Sequence, residues 1–142
     1  MPANFISPCF IDSNIWLYAF VQSSDSTKTT TARSLVQSTQ PVLSTQVINE
    51  VCVNLLRLAH FSEDQIQHLI TSFYEKYPVI SPDLSILLLA SQLRQRYSLS
   101  FWDGPIVASA LTAGVSVLYT EDMQHGLTVE NRLQILNPFR TE

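Results

Sequence analysis

Short apolar runs alternate along this chain with longer stretches of helical periodicity. The apolar runs predict buried strands at 9–12, 41–44, 79–80, 115–119 and 133–136. The stretches between them predict helices at roughly 14–21, 26–38, 45–59, 62–77, 83–97 and 103–113. Strands that are apolar throughout and separated by helices are typical of a parallel sheet covered on both faces. We therefore expect an α/β fold, with three α/β/α layers and a small central parallel sheet of about 4–5 strands.

Capping signals support several of the predicted helix boundaries. The segment 62–65 has the pattern of a capping box, and Asp83 or Ser81 is suited to cap the next helix. Pro105 stands near the first turn of the last predicted helix, where proline is tolerated, and Gly114 is expected to close that helix.

Acidic residues stand at the edges of the apolar runs. Asp12 and Asp122 each come just past the end of a predicted strand, and Asp103 begins a helix. Ser44 ends another strand and leads into the helix that carries Glu50. Because ligand sites of parallel sheets lie beyond the carboxyl ends of the strands, this topology can gather these acids at one rim. Buried acids are costly to desolvate without compensation, so their convergence predicts a cation site.

The chemistry of this acid set points to a hard cation. Oxygen ligands without His or Cys suit Mg²⁺ or Mn²⁺. Two such ions can activate a water molecule and stabilise the leaving oxygen of a phosphodiester. The acids would then be metal ligands first, and one of them could also orient or deprotonate the attacking water.

Composition narrows the function classes. The chain has 142 residues, of which 46% are hydrophobic and 14% charged, so we expect one folded domain over 1–142. Its formal net charge is −4, whereas proteins that hold nucleic acid by bulk electrostatics are usually basic. Any nucleic-acid chemistry must therefore be local, through metal ions and a few arginines.

Cysteine usage and hydropathy predict a cytoplasmic protein that does not enter a membrane. Cys9 and Cys52 fit neither a metal-binding pair nor a disulfide framework, which favours a reducing compartment. The N-terminal segment does not have the pattern of a signal peptide. The most apolar segment, 86–90, is far too short to span a bilayer.

Four patches of the sequence resemble the PIN domain, and more narrowly the VapC-type toxins of bacterial toxin–antitoxin pairs. They are FIDSNIWLY at 10–18, STQVINE at 44–50, SFWD at 100–103 and LYTEDMQHG at 118–126. The terminal Asn137-Pro138-Phe139 also fits that group. Each patch alone is a weak signal, but together they occur in the family's order over nearly the whole chain.

The resemblance implies a ribonuclease that depends on Mg²⁺ or Mn²⁺. Asn14 and Thr120 would be supporting polar groups near the metal ions. The four acids of the family, which bind the metal and make up the catalytic set, map onto Asp12, Glu50, Asp103 and Asp122. The resemblance also implies a homodimer, RNA as the substrate, and a small antitoxin protein that blocks the groove, as in type II toxin–antitoxin pairs.

Two details of the motifs bear on where the acids lie. After Asp103 the family mostly has alanine and an aliphatic residue, whereas this chain has Gly104-Pro105, which would reshape the first helical turn. Glu121 and Asp122 are adjacent, so at most one is expected to point straight at the site, and the resemblance favours Asp122.

Each acid also has an ordinary structural interpretation. Asp12 and Asp103 are suited to cap helices, and Glu50 could belong to a solvated helix face. Asn54 and Arg57 share that face with Glu50, at the i+4 and i+7 positions. A polar strip with an arginine would suit a phosphate-bearing substrate, so we consider both as candidate substrate contacts.

Other function classes fit the sequence less well. Receiver domains and haloacid-dehalogenase-like phosphatases also have an aspartate after the first strand, but they need a late lysine, and the only lysines are Lys28 and Lys76. The phosphatases further want an aspartate at the position of Asn14. A catalytically silent PIN-like scaffold and a DNA nuclease remain alternatives, although the presence of all four acids and the short length favour a small ribonuclease.

Overall fold

The structure, a computed structural model, describes residues 7–22 and 24–140. Residues 1–6, 23, 141 and 142 of the predicted domain lie outside the described residues. The elements in chain order are β1 (Pro8–Ile11), α1 (Ser13–Phe20), α2 (Ser26–Ser38), β2 (Gln40–Ser44), α3 (Thr45–Leu58), α4 (Glu63–Lys76), β3 (Val79–Ile80), α5 (Leu84–Tyr97), α6 (Asp103–Ala113), β4 (Val117–Tyr119), β5 (Thr128–Val129) and β6 (Leu133–Leu136). Every helix and strand predicted from the periodicity is present, with small shifts at the ends.

The sheet of the described residues has six strands in the order β3-β2-β1-β4-β6-β5. Neighbouring strands are parallel except for β5, which runs antiparallel to β6. The α/β class is therefore confirmed, while the expectation of a wholly parallel sheet of about 4–5 strands is wrong in strand count and in the direction of β5. The missed strand is only 2 residues long and its first residue is exposed, so it leaves no apolar pattern in the sequence.

Helix α6 lies inside the fold. Its residues from Gly104 to Leu111 are all buried, and it packs against α5, β2 and β4. A closely packed interior is hard to compress, so the first residue of the helix, Asp103, has a well-defined place. The largest fully buried side chains of the core include Phe10, Ile11, Ile15, Trp16, Leu43, Leu55, Leu118 and Ile135.

Side-chain caps set the helix boundaries near the carboxyl edge of the sheet and elsewhere. The Ser44 hydroxyl accepts a hydrogen bond from the Val47 N–H at 3.3 Å and so begins α3 directly after β2. The predicted capping box of Ser62 is present at the start of α4. Asp83 caps α5, and Gly114 closes α6 with φ at 76°. The abrupt change from strand to helix at Ser44 brings Glu50 close to the edge where β2 ends.

The remaining sequence expectations concern cysteines and membrane segments. Cys9 and Cys52 are both buried and free. Within residues 7–22 and 24–140, no helix combines the length and the apolar character needed to cross a bilayer.

Candidate functional site

The pairing of β1 with β4 brings two predicted site residues side by side. Ile11 is in register with Tyr119, so Asp12 and Thr120, which follow them, leave the sheet at the same edge. The Asp12 N–H donates to the Tyr119 carbonyl at 3.0 Å, and the Thr120 N–H donates to the Leu136 carbonyl at 3.0 Å. Strands β1, β4 and β6 together fix this corner of the molecule.

Asp12 is almost fully buried, with 4% of its surface exposed. One carboxylate oxygen accepts from the Ser13 N–H at 2.8 Å, which makes Asp12 the N-cap of α1. The other accepts from the Thr120 hydroxyl at 2.8 Å. Capping therefore accounts for only one of the two carboxylate oxygens. The other binds Thr120, which is 108 positions away in the chain and does not belong to α1.

Asn14 connects the first turn of α1 to the segment after β4. Its side-chain N–H donates to Asp122 Oδ2 at 2.8 Å, and its side-chain oxygen accepts from the Glu121 N–H at 3.3 Å. The Asp122 N–H in turn donates to the Thr120 hydroxyl at 3.2 Å. These bonds orient the Asp122 carboxylate toward α1 and make Asn14 and Thr120 its immediate supports.

The side chain of Glu121 is engaged on a different side of this segment. It forms an ion pair with Lys28 of α2 and accepts from the Tyr18 hydroxyl at 2.9 Å. The Lys28 ammonium also lies 5.0 Å from the Tyr18 ring centroid and 5.3 Å from that of Phe139. Glu121 is therefore neutralised by its own cation, while Asp122 has no such partner among the described residues.

Glu50 projects from α3 near the start of α6. Its Oε2 accepts from the Gln46 side-chain N–H at 3.2 Å, and the same nitrogen donates to the Trp102 carbonyl at 3.0 Å. An open groove of about 570 Å³ lies beside Glu50. Its lining includes Gln46, Asn49, Val53, Leu87 and the exposed Trp102.

Asp103 is the first residue of α6, not its cap. Trp102 occupies the N-cap position without a side-chain hydrogen bond, so the capping interpretation of Asp103 is wrong. The turn before the helix is closed by Ser100, whose hydroxyl accepts from the Asp103 N–H at 3.2 Å and whose carbonyl accepts from the Gly104 N–H at 3.3 Å.

Gly104 explains why this chain departs from the family pattern after Asp103. A Cβ at this position would lie 2.7 Å from Arg94 Nη1 and 3.1 Å from the Ala90 carbonyl oxygen. In the space that glycine leaves, Arg94 donates to the Phe101 carbonyl at 3.1 Å and stacks 4.3 Å from the Phe101 ring centroid. The glycine therefore admits a side chain of α5 that holds the turn presenting Asp103.

Burial dominates the electrostatics of Asp12. It raises the pKa of this carboxyl to about 7. The hydrogen bonds from the Ser13 N–H and the Thr120 hydroxyl oppose the rise, while the negative charges of Glu50 and Asp122 add to it. The contributions of Glu50 and Asp122 are the smallest of these causes.

Asp103 belongs to the same electrostatic group. Burial raises its pKa, the Ser100 side chain opposes the rise by hydrogen bonding, and the charge of Asp122 adds to it. Asp122 thus acts on both Asp12 and Asp103, and Glu50 acts on Asp12. All four predicted acids are electrostatically connected at one edge of the sheet.

The donor set fits a divalent cation by its chemistry. The two ion pairs among the described residues, Lys28–Glu121 and Arg96–Glu130, leave the four predicted acids without a basic partner. Oxygen donors of this kind suit Mg²⁺ and Mn²⁺. As the side chains stand, however, no group of three or more His, Cys, Asp or Glu within the described part of the chain is arranged to hold an ion.

The two candidate substrate contacts on α3 differ in their surroundings. The Asn54 side chain donates to the Glu50 backbone carbonyl at 2.8 Å, in the preceding turn of its own helix. Asn54 also lines a pocket of about 250 Å³ together with Asn14, the residue that donates to Asp122. Arg57 is exposed in the last turn of α3 and forms no ion pair with a described residue.

Several residues that shape the site were missed by the sequence analysis. Gln46 stands four positions before Glu50, and that spacing was a readable signal for a side-chain contact. Lys28 and Tyr18 act on Glu121 over separations of 93 and 103 positions, and Arg94 reaches from the end of α5 to the turn before α6, 7 positions away. No local pattern announces such contacts.

Comparisons with known proteins bear on the family and the fold. The family model described as PIN domain matches residues 9–126 of the chain. A comparison with curated protein sequences finds no significant match.

Solved structures show the same fold at low sequence identity. A chain of a toxin–antitoxin complex from Klebsiella pneumoniae aligns with a TM-score of 0.71 and 19% identity, covering 94% of this chain and 99% of that one. VapC20 of Mycobacterium tuberculosis, described as a sarcin-ricin loop cleaving toxin, aligns at 0.64 and 16% identity, covering 80% of this chain and 91% of that one. VapBC2 of Rickettsia felis, bound to a DNA fragment of its promoter, aligns at 0.62 and 16%, covering 90% and 96% respectively.

Proposed function

The chain belongs to the PIN domain family, and on that premise we propose that it is a metal-dependent endoribonuclease that hydrolyses RNA phosphodiester bonds. We further propose that it is the toxin of a type II toxin–antitoxin pair in the cytoplasm. The names of its structural neighbours, a toxin–antitoxin complex and a sarcin-ricin loop cleaving toxin, support the general class. RNA as the substrate of this chain rests on the family and on the chemistry of the site.

One observation carries the proposal above the others. Asp12 is buried, has no basic partner among the described residues, and is repelled by Glu50 and Asp122. A protein keeps such an arrangement at a stability cost, which is common at functional sites. A bound divalent cation would offset both the burial and the repulsion.

The proposed ligands are Asp12, Glu50, Asp103 and Asp122. When bound there, Mg²⁺ or Mn²⁺ supplies Lewis-acid chemistry, by making a nucleophile from water and by stabilising the leaving oxygen of the phosphodiester.

The protein's own polar groups orient these acids. The Thr120 hydroxyl donates a hydrogen bond to Asp12 Oδ2, and this bond fixes the rotation of the Asp12 carboxylate. The Asn14 side-chain N–H does the same for Asp122.

Substrate binding must be local because the chain is acidic, with a formal net charge of −4. The groove beside Glu50 offers the exposed indole of Trp102, and aromatic faces stack on unpaired bases. Asn54, which lines a pocket with Asn14, and the exposed Arg57 are proposed as contacts to the RNA backbone. A homodimer and a small antitoxin protein are proposed on the family's pattern, and two of the neighbours are toxin–antitoxin assemblies by name.

A silent scaffold is the second candidate, and one observation favours it. No group of three acids among the described residues is arranged to hold an ion. A metal-dependent ribonuclease cleaves RNA only when the metal is present, whereas a silent scaffold does not cleave RNA at all, so cleavage assays distinguish the two.

The first experiment measures RNA cleavage by the purified protein with Mg²⁺ or Mn²⁺ and with EDTA. We expect cleavage only with metal, and loss of at least about 100-fold in rate for Asp12→Asn and Asp103→Asn. Asp64→Asn is the matched control, because this exposed acid on α4 lies outside the acid set. Undiminished cleavage by Asp12→Asn would overturn the site assignment, and no cleavage by the wild type would favour the scaffold.

The toxin proposal has its own test. Expression of the wild-type chain should slow bacterial growth, expression of Asp12→Asn should not, and a small protein encoded beside the gene should restore growth when co-expressed. Harmless expression of a protein that cleaves RNA in vitro would count against a toxin and leave the ribonuclease proposal intact.

A further inference from the structure

Gln46 links two of the acids that lie on different elements. Glu50 is on α3 and Asp103 begins α6, and among the described residues no hydrogen bond joins their carboxylates directly. The Gln46 side-chain nitrogen donates to Glu50 Oε2 at 3.2 Å and to the Trp102 carbonyl at 3.0 Å. An amide nitrogen has two hydrogens, so one Gln46 side chain satisfies both acceptors at once.

The Trp102 carbonyl belongs to the peptide that immediately precedes Asp103. Trp102, the N-cap residue, makes no side-chain cap bond, and besides the local bonds to Ser100 the turn is contacted by two neighbouring elements. Arg94 of α5 holds the Phe101 carbonyl at 3.1 Å, and Gln46 of α3 holds the next carbonyl along. The start of α6 is therefore tied to α5 and α3 by two consecutive carbonyl oxygens.

From this geometry we propose that Gln46 is a positioning residue that fixes the carboxylate of Glu50 relative to the turn presenting Asp103. The proposal deepens the proposed function and rests on it where metal binding is concerned. Ligating carboxylates must stand within about 0.5 Å of a productive geometry to bind a metal well. One Gln46 side chain restricts both acids. If it changed rotamer, it would lose its hydrogen bonds to the Glu50 carboxylate and to the Trp102 carbonyl at the same time.

The physical consequence is a loss of preorganisation when the amide is removed. Gln46→Met keeps the length of the side chain and removes both donors. Hydrogen-bonding partners of metal ligands change metal affinity by about 10- to 100-fold when they are replaced. We therefore expect the Mn²⁺ dissociation constant of Gln46→Met to rise about tenfold, with cleavage restored at saturating Mn²⁺.

Two measurements test this without relying on cleavage. Mn²⁺ binding is followed by the electron paramagnetic resonance signal of the free ion, and hydrogen exchange of the Asp103 and Gly104 amides is followed in the metal-free protein. Exchange of these amides in Gln46→Met should be about threefold faster or more, because the loss of one hydrogen bond loosens the turn. Gln67→Met, an exposed glutamine on α4, is the matched control and should leave both measurements unchanged.

The outcomes separate this inference from the proposed function. If the wild type binds Mn²⁺ and Gln46→Met binds it equally well, the role of Gln46 is wrong while the ribonuclease stands. If Gln46→Met weakens Mn²⁺ binding but the wild type cleaves no RNA, the ribonuclease fails and the positioning role stands. If the wild type binds no Mn²⁺, the metal proposal fails, and amide exchange decides whether Gln46 holds the turn: faster exchange supports it and unchanged exchange overturns it.

Discussion

At the scale of single residues, Glu121 and Asp122 differ in what neutralises them. Glu121 pairs with Lys28 and accepts from Tyr18, whereas Asp122 accepts from Asn14 and repels Asp12 and Asp103. Glu121 and Asp122 are adjacent and both carry a carboxylate, but they bind different partners. Glu121 joins α1 and α2 to the segment after β4, which supports the proposal that Asp122 is the fourth acid of the site.

Replacing Glu121 or Asp122 should therefore have different effects on RNA cleavage. Asp122→Asn should lower the rate of RNA cleavage by about tenfold or more, because it removes a charge from the proposed metal site. Glu121→Gln should leave the cleavage rate within about twofold of the wild-type rate, because the carboxylate that this change removes is paired with Lys28. Initial rates at a fixed, subsaturating Mn²⁺ concentration measure both variants, and the reverse order of effects would assign Glu121 to the metal.

The sequence predicts four acids and, through the family resemblance, favours Asp122 over Glu121, but it does not show the contacts that distinguish the two. Asp12 was readable because it follows an apolar strand, and Glu50 because it follows a strand-to-helix junction. Choosing between Glu121 and Asp122 depends on Lys28, which is 93 positions away from its partner. Long-range side-chain contacts of this kind are set by tertiary packing, which leaves no local periodicity.

At the scale of elements, helix α5 ends at a residue under backbone strain. Ser98 caps it with φ at 56° and ψ at 39°, in the left-handed region that favours glycine. Its backbone N–H donates to the Arg94 carbonyl, so the conformation is needed to close the helix. Ser98 is exposed.

Replacing Ser98 by glycine should stabilise the protein. We expect Ser98→Gly to raise the free energy of unfolding by about 0.5–1 kcal/mol, because the relief of strain exceeds the added entropy of the unfolded chain. The matched control is Ser91→Gly, in the exposed middle of α5, which should lower it by about 1 kcal/mol. Urea denaturation measures both, and a destabilised Ser98→Gly would show that the left-handed turn is not strained.

A second element-scale prediction concerns the link between α5 and the β5–β6 hairpin. Glu130 accepts from Tyr97 at 2.9 Å and from Arg96 at 2.7 Å, and these bonds lower its pKa below the ordinary value of 4.5. A lowered pKa in the folded state means that the stabilisation is present above the ordinary pKa and is lost as the pH falls through the folded value.

Glu130→Gln should therefore lower the melting temperature at pH 7 and make little difference at about pH 3. The effect is expected to be small, because the groups are partly exposed. Glu75→Gln on α4 serves as the control, since its carboxylate is exposed and makes no ion pair with a described residue. A melting-temperature difference for Glu130→Gln that stays constant across this pH range would contradict the role of the charged carboxylate.

Element boundaries were largely predictable, and the exceptions have a physical cause. The six helices were readable because caps and periodicity agree, as at Ser62 and Gly114. Strand β5 was not readable, because a two-residue strand at the sheet edge is held by its pairing with β6 and not by its own composition. The shape of the turn before α6 was also not predictable, because the reason for a glycine at position 104 is the space that Arg94 occupies in the folded protein.

At the scale of the whole molecule, the acid set makes the metal-free protein less stable than its core would allow. The buried Asp12 meets like charges at the carboxyl edge of a well-packed sheet. Stability and function therefore oppose each other at this edge, as they often do at active sites.

We expect Mg²⁺ or Mn²⁺ to raise the melting temperature of the wild type. At a free metal concentration of 100 times the dissociation constant, binding contributes about 2.7 kcal/mol to stability. Asp12→Asn should melt higher than the wild type without metal, because it removes a buried charge, and it should gain little when metal is added. Thermal unfolding followed by circular dichroism with and without metal checks both statements.

Asp64→Asn should respond to metal as the wild type does, since that acid is exposed on α4. An equal metal-induced shift in Asp12→Asn and the wild type would mean that the ion binds elsewhere on the protein.

The strand order has a consequence for the time at which the protein becomes active. Asp12 is supported by Thr120, and Thr120 is held by Leu136 of β6, so the N-terminal half of the acid set is incomplete until the C-terminal strands have paired. A chain that emerges from the ribosome N-terminus first can form β1, β2 and β3 early, but it cannot assemble this site while residues 117–136 are still being made. On the proposed nuclease function, each molecule is therefore harmless to the messenger RNA that encodes it until residues 117–136 have left the ribosome.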